Sequence, residues 1–185
     1  LALIVSFSLF SVPTHDGTVN PGFRVVSEND SEVVVEFVLP EYKIDELKID
    51  KDIYNVISTG TETFTTEVGM PYLPIFGTGI AVPKTGKVSC QIIENEYKEI
   101  SLDNIFPSQK EGFVYEDINL EESDYNGFFP AEALTSGDNF ILRDFRVKPL
   151  QVRPFSYNKT DKTLRMYNKL SFKITTDHNQ TGENE

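Results

Sequence analysis

The sequence predicts an all-β domain, an antiparallel β-sandwich of jelly-roll type. Three observations predict it. Apolar and polar residues alternate at period two in several stretches, most cleanly at Leu164, Met166, Leu170, Phe172 and Ile174. Turn residues recur at short intervals between those stretches. Ten prolines, spread from Pro13 to Pro154, leave little room for a long helix.

In order, residues 21–176 carry the sandwich, after a leading segment at 1–20 and before a polar linker at 177–185 toward a downstream domain. Phe23 to Leu39 reads as a hairpin. Its second limb places Val33, Val35, Phe37 and Leu39 on one side and Glu32, Val34, Glu36 and Val38 on the other, and Pro40 ends it. Tyr42 to Ile57 has some helical spacing at Ile44 and Leu47. The β-branched runs Leu47-Lys48-Ile49 and Ile53 to Ile57 favour two strands around Asp50-Lys51. Thr59 to Thr66 is polar and β-branched, an exposed edge or loop. Gly69-Met70-Pro71-Tyr72-Leu73-Pro74 is the most constrained run of the chain. Its prolines hold it extended and deny it a full ladder, so Tyr72 and Leu73 are expected to pack inward from a cross-over.

Ile75 to Val82 is an apolar strand, and Pro83 to Gly86 is a turn. Lys87 to Tyr97 is a strand whose alternation slips at Ile92-Ile93, as a bulge produces. Ser101 to Phe106 pairs briefly. Pro107 to Gly137 is acidic, rich in Phe and Tyr and without periodicity, a long surface excursion of the kind that often carries function. Phe140 to Tyr157 returns to strand character, broken at Pro149 and Pro154, and so forms an edge or crosses between sheets. Asn158 to Asp161 is a turn. The last strand puts Leu164 to Ile174 on one buried face, interrupted at Asn168.

Composition excludes several functions. The formal net charge of −12 speaks against nucleic acid, which needs clustered Lys and Arg. A single cysteine, Cys90, forbids an internal disulfide. It shares a face with Val88 and Ile92, as a buried structural thiol does. The two histidines, His15 and His178, lie near the ends, which leaves neither a triad nor a histidine metal site. Glu121, Glu122 and Asp124 lack any calcium-loop spacing and read as a solvated acidic loop. No catalytic residues, metal site or cofactor are assigned. The apolar run Leu1 to Phe10 is too short to span a bilayer. It reads as the remnant of a secretory signal, with a buried first strand as the other reading. A secreted or bacterial cell-surface location without a membrane span follows from the first.

Two blocks of residues resemble a known family. Gly69-Met70-Pro71-Tyr72-Leu73-Pro74, followed by Ile80 to Val88 with Pro83 and Gly86, is similar to the first motif of the gingipain-type propeptide, peptidase family C25. Phe129-Pro130, Arg143-Asp144-Phe145-Arg146, Pro154 to Asn158 and Leu164-Arg165-Met166-Tyr167 resemble its second. Asp144 stands where the family has Gly, and Lys159 and Asp161 replace a Pro and a Gly. The resemblance spans Phe23 to Thr176.

The resemblance implies a non-catalytic β-sandwich, similar to carbohydrate-binding modules, that precedes a secreted cysteine peptidase. Such a prodomain keeps the downstream peptidase domain latent and assists its folding, and a surface loop places a basic side chain in the enzyme's specificity pocket. The only basic residue of Pro107 to Gly137 is Lys110. For an enzyme that prefers Lys or Arg it is the candidate inhibitory residue; the residues alone read first as an ordinary loop lysine. Gly69, Pro71, Leu73 and Pro74 are expected to be structural. The alternative function is a carbohydrate- or surface-binding β module without activity.

Overall fold

The computed structural model describes residues 4–5, 22–60, 63–110 and 118–184, with backbone only at 4–5. Among them no helix forms, and none is long and apolar enough to cross a membrane. The leading-segment expectation for residues 1–20 falls outside the described residues, apart from Ile4–Val5.

Two antiparallel sheets face each other. In the first, β1 (Ile4–Val5), β6 (Phe76–Val82) and β10 (Phe145–Val152) lie side by side. The short strands β8 (Leu134–Ser136) and β9 (Phe140–Leu142) share the outer edge of β10. Pro149 sits in the interval between those two short partners, where a missing N–H breaks no ladder. The second sheet is built on β12 (Thr163–Asp177). One edge of β12 pairs along its whole length with β7 (Lys87–Ser101). Its other edge takes β11 (Phe155–Asn158) first and then β3 (Glu32–Val38), which pairs in turn with β2 (Phe23–Glu28). The expected crossing between sheets occurs at Arg153-Pro154, between β10 and β11. A separate hairpin joins β4 (Lys43–Ile49) to β5 (Asp52–Ser58), and Asp50 takes the left-handed turn position at φ 54°.

Two apolar cores result. The larger lies between the sheets, where Val35, Phe37, Ile80, Val152, Leu170 and Phe172 are fully buried among others. Phe37 packs its ring 5.0 Å from Phe23 and 5.1 Å from Phe76. The smaller gathers Ile57, Leu73, Ile105, Phe155, Tyr157, Leu164 and Met166, with Tyr42 and Ile44 against it, so the β4–β5 hairpin covers it.

How one strand serves both cores is the main departure from the sequence reading. The β12–β7 register shifts twice. At Asn168 β12 carries one residue more than its partner, and at Ile93 β7 does. An extra residue reverses the alternation of everything beyond it. Leu164 and Met166 therefore join the smaller core, while Leu170, Phe172 and Ile174 join the larger one on the opposite face. The single buried face expected through Ile174 is corrected to two faces joined by a bulge. The same reversal sends Ile100 of β7 to the smaller core and Val88 and Cys90 to the larger.

Candidate functional site

The segment from Gly69 to Ile75 is held on both sides by backbone hydrogen bonds. On one side the amides of Thr65 and Ile75 donate to the carbonyls of Leu73 and Thr63 at 2.9 Å each. On the other, Tyr72 N–H donates to Phe106 at 2.8 Å and Ser108 N–H donates to Met70 at 2.7 Å. Pro71 stands opposite Pro107, so the two residues without a donor face each other where the ladder has a gap. Leu73 is completely buried in the smaller core, and Tyr72 stacks on Phe64 at 4.2 Å and meets Phe106 edge-on.

Thr65 corrects the expectation of an exposed edge at 59–66. It is buried, donates its hydroxyl to the Pro71 carbonyl at 2.5 Å and accepts the Leu73 amide at 3.0 Å. Its own carbonyl accepts the Ser108 hydroxyl at 2.9 Å. A hydroxyl placed where proline withholds an N–H keeps the buried backbone satisfied.

This segment anchors the acidic excursion. Gly69 N–H donates to Ser108 and Gly69 C=O accepts Ser123 N–H, both at 2.9 Å, so one residue ties the outgoing and the returning limb. Gly69 has φ 79°, and a Cβ there would lie 2.6 Å from the Ser123 hydroxyl. Only glycine fits. Ser123 also donates its hydroxyl to Val68 at 3.0 Å. Further out, the Gln109 side chain donates to the carbonyls of Pro107 and Asn119 and accepts the Asn119 amide, each at 2.8 Å. Lys159 secures the returning limb through the Ser123 carbonyl at 2.8 Å, Asp124 at 3.1 Å and the Tyr125 ring face at 5.1 Å.

Lys110 follows this pinch directly. It is exposed, and no carboxylate among the described residues lies within ion-pair distance of it. Glu111, Phe113, Tyr115, Glu116 and Asp117, part of the expected excursion, fall outside the described residues. The sequence singled out Lys110 and the proline motif separately. It missed Gln109, Asn119, Ser123 and Thr65, because their longer-range bonds run to groups six to 55 positions away and leave no local signal.

Chemistry elsewhere is absent from the described surface. Burial pushes the Cys90 thiol up to about 11, against the opposing pull of Lys148, which is the wrong direction for a nucleophile. The groove it lines, about 420 Å³, holds no histidine. Among the described residues no three His, Cys, Asp or Glu side chains gather as metal ligands.

Comparison with known proteins gives one consistent answer. The model of the family Propeptide_C25 matches residues 14–185. Gingipain R1 of Porphyromonas gingivalis is 28% identical over 174 residues, covering 89% of this chain and 17% of that protein. Gingipain R2 of the same species is 29% identical over 181 residues, covering 90% of this chain and 24% of that protein. The chain thus spans less than a quarter of the length of these relatives. Among solved structures, the complex of P. gingivalis RgpB pro- and mature domains superposes with a TM-score of 0.79 at 26% identity, over 89% of this chain and 90% of that one. A structure addressing zymogenic latency of P. gingivalis gingipain K shares the fold, with a TM-score of 0.69 at 16% identity over 95% of this chain and 98% of that one.

Proposed function

This chain belongs to the Propeptide_C25 family, and from that membership we propose that it is the N-terminal prodomain of a secreted gingipain-like cysteine peptidase, acting as its latency-maintaining inhibitor and folding aid. A C25 propeptide is the non-catalytic part of its zymogen, and Cys90 has no place in the peptidase chemistry. The observation that carries the reading is the likeness to a pro-domain that was solved together with its mature domain, over nine-tenths of that pro-domain's length. The partner is the peptidase domain of the same polypeptide, and the protein acts outside the cytoplasm.

In this reading Lys110 is the inhibitory side chain. It is exposed and directly follows a pinned neck, so its backbone is held on the Gln109 side before it enters a pocket. An ammonium desolvated beside an acidic pocket floor would anchor the complex. The test adds the purified chain in trans to its cognate peptidase domain. Wild type inhibits, and Lys110→Ala weakens inhibition by about a hundredfold, the loss of one central anchor. Equal inhibition by both proteins removes Lys110 from this role. No inhibition by either removes the latency function.

A further inference from the structure

We infer that Gln109 and Asn119 form a latch that closes the neck of the loop and positions Lys110 for the peptidase. This rests on the reading of Lys110 just given and extends it to the residues that hold the loop beside Lys110.

The latch is a side chain acting as a strand. The Gln109 amide nitrogen donates to Asn119 C=O while its oxygen accepts Asn119 N–H, both at 2.8 Å, which reproduces the two-bond exchange of an antiparallel pair. The second amide hydrogen goes to Pro107 C=O at 2.8 Å, holding the side chain back along its own limb. This pattern admits one amide orientation, since the reversed amide would set donor against donor and acceptor against acceptor. On the far limb, Asn119 Oδ1 accepts Glu121 N–H at 2.9 Å and fixes the turn behind the latch. One residue inward, Ser108 is buried, with its amide, carbonyl and hydroxyl all bonded. Lys110 therefore stands one residue beyond a closed neck and two beyond a buried, fully bonded anchor.

Without the latch, the next bonds joining the two limbs run through Gly69 to Ser108 and Ser123. Lys110 would lose its nearest fixed neighbour and would sample directions that cannot enter a pocket. Orienting Lys110 would then fall on the binding step. Glutamine is long enough to reach across the neck and carries both a donor and an acceptor. Leucine keeps the volume and removes both.

The test uses two readouts. In the first, Gln109→Leu is compared with wild type, Lys110→Ala and the double variant as trans inhibitors of the cognate peptidase domain. Gln109→Leu raises the inhibition constant about tenfold, the scale of a few net hydrogen bonds. The double variant is no weaker than Lys110→Ala, because the latch acts only through Lys110. The second readout is independent of inhibition. A lysine-specific endopeptidase cuts the free chain after Lys110 about tenfold faster in Gln109→Leu, at an unchanged melting temperature. Wild-type inhibition by Gln109→Leu overturns the inference while the Lys110 reading stands. So does a double variant that loses both factors in full. If wild type itself does not inhibit, the Lys110 reading falls, and an unchanged cleavage rate then overturns the latch as well.

Discussion

Arg146 grips the backbone carbonyl of Glu183 in a fork, with Nε at 2.9 Å and Nη2 at 2.6 Å. Its Nη1 reaches the carbonyls of Pro83 and Gly86 at 3.1 and 2.8 Å, so Arg146, a residue only 1% exposed, binds the β6–β7 turn and the C-terminal segment together. Gly182 allows the approach, since a Cβ there would overlap the Gly86 carbonyl and the Arg146 guanidinium. Arg146→Leu removes all four of these hydrogen bonds and lowers the unfolding free energy by about 2–3 kcal/mol. Arg146→Lys recovers little, because an ammonium cannot form the fork. Denaturant titration measures the loss, and amide exchange at residues 182–184 reports release of the segment ahead of global unfolding.

Gly69→Ala meets two obstacles at once, a left-handed backbone at φ 79° and a Cβ contact of 2.6 Å with the Ser123 hydroxyl. The expected cost is about 1–3 kcal/mol. The damage is local first, because Gly69 joins both limbs of the excursion. Proteolysis between residues 118 and 125 accelerates more than cleavage in β12. A uniform change at both places would contradict the anchoring role.

Glu36 is 5% exposed and holds two cations, Arg24 at 2.5 Å and Lys169 at 3.1 Å. The Lys169 hydrogen bond, helped by Arg24, keeps its carboxyl below the usual carboxylate range against the opposing effect of burial. A lowered folded-state value means that the pair stabilises the domain above the ordinary glutamate range. That stability is lost as pH falls through the lowered value. Glu36→Gln thus lowers the melting temperature by a few degrees at pH 7. The gap between variant and wild type closes in acid, below about pH 4. Melting curves across that window test the sign, and a gap that widens in acid would refute it.

Deleting Asn168 is expected to abolish folding, whereas Asn168→Ala stays within about 0.5 kcal/mol of wild type. The side chain is exposed, so its identity matters little, while its presence sets the parity of β12. Without the extra residue, either Leu164 and Met166 or Leu170 and Phe172 must turn away from their core. Circular dichroism and soluble yield distinguish the two variants.

Much of the strand inventory was legible in the sequence, because period-two alternation is a local property. Val33 to Phe37, the Asp50-Lys51 turn and the slip at Ile92-Ile93 all stand where the pattern put them. The interruption at Asn168 was visible too, but its consequence was not. Whether a bulge merely kinks a strand or exchanges its faces depends on a second core being present to receive the exposed side. That core is assembled from Ile57, Leu73, Ile105 and Phe155, which are distant in the chain.

The candidate site divides in the same way. By itself the sequence determined an all-β chain, an acidic excursion with Lys110 as its one base and a rigid Gly69 to Pro74 run, because charge, proline and alternation are read residue by residue. Only the tertiary structure decided that this run is the anchor of that excursion. Gly69 and Ser108 are 39 positions apart, and their 2.9 Å hydrogen bond exists only because the intervening strands β6 and β7 run out into the two sheets and the chain returns. Hydrogen bonds between distant backbone groups leave no periodic trace in a sequence, so the pinned neck became visible only when its partners were brought together.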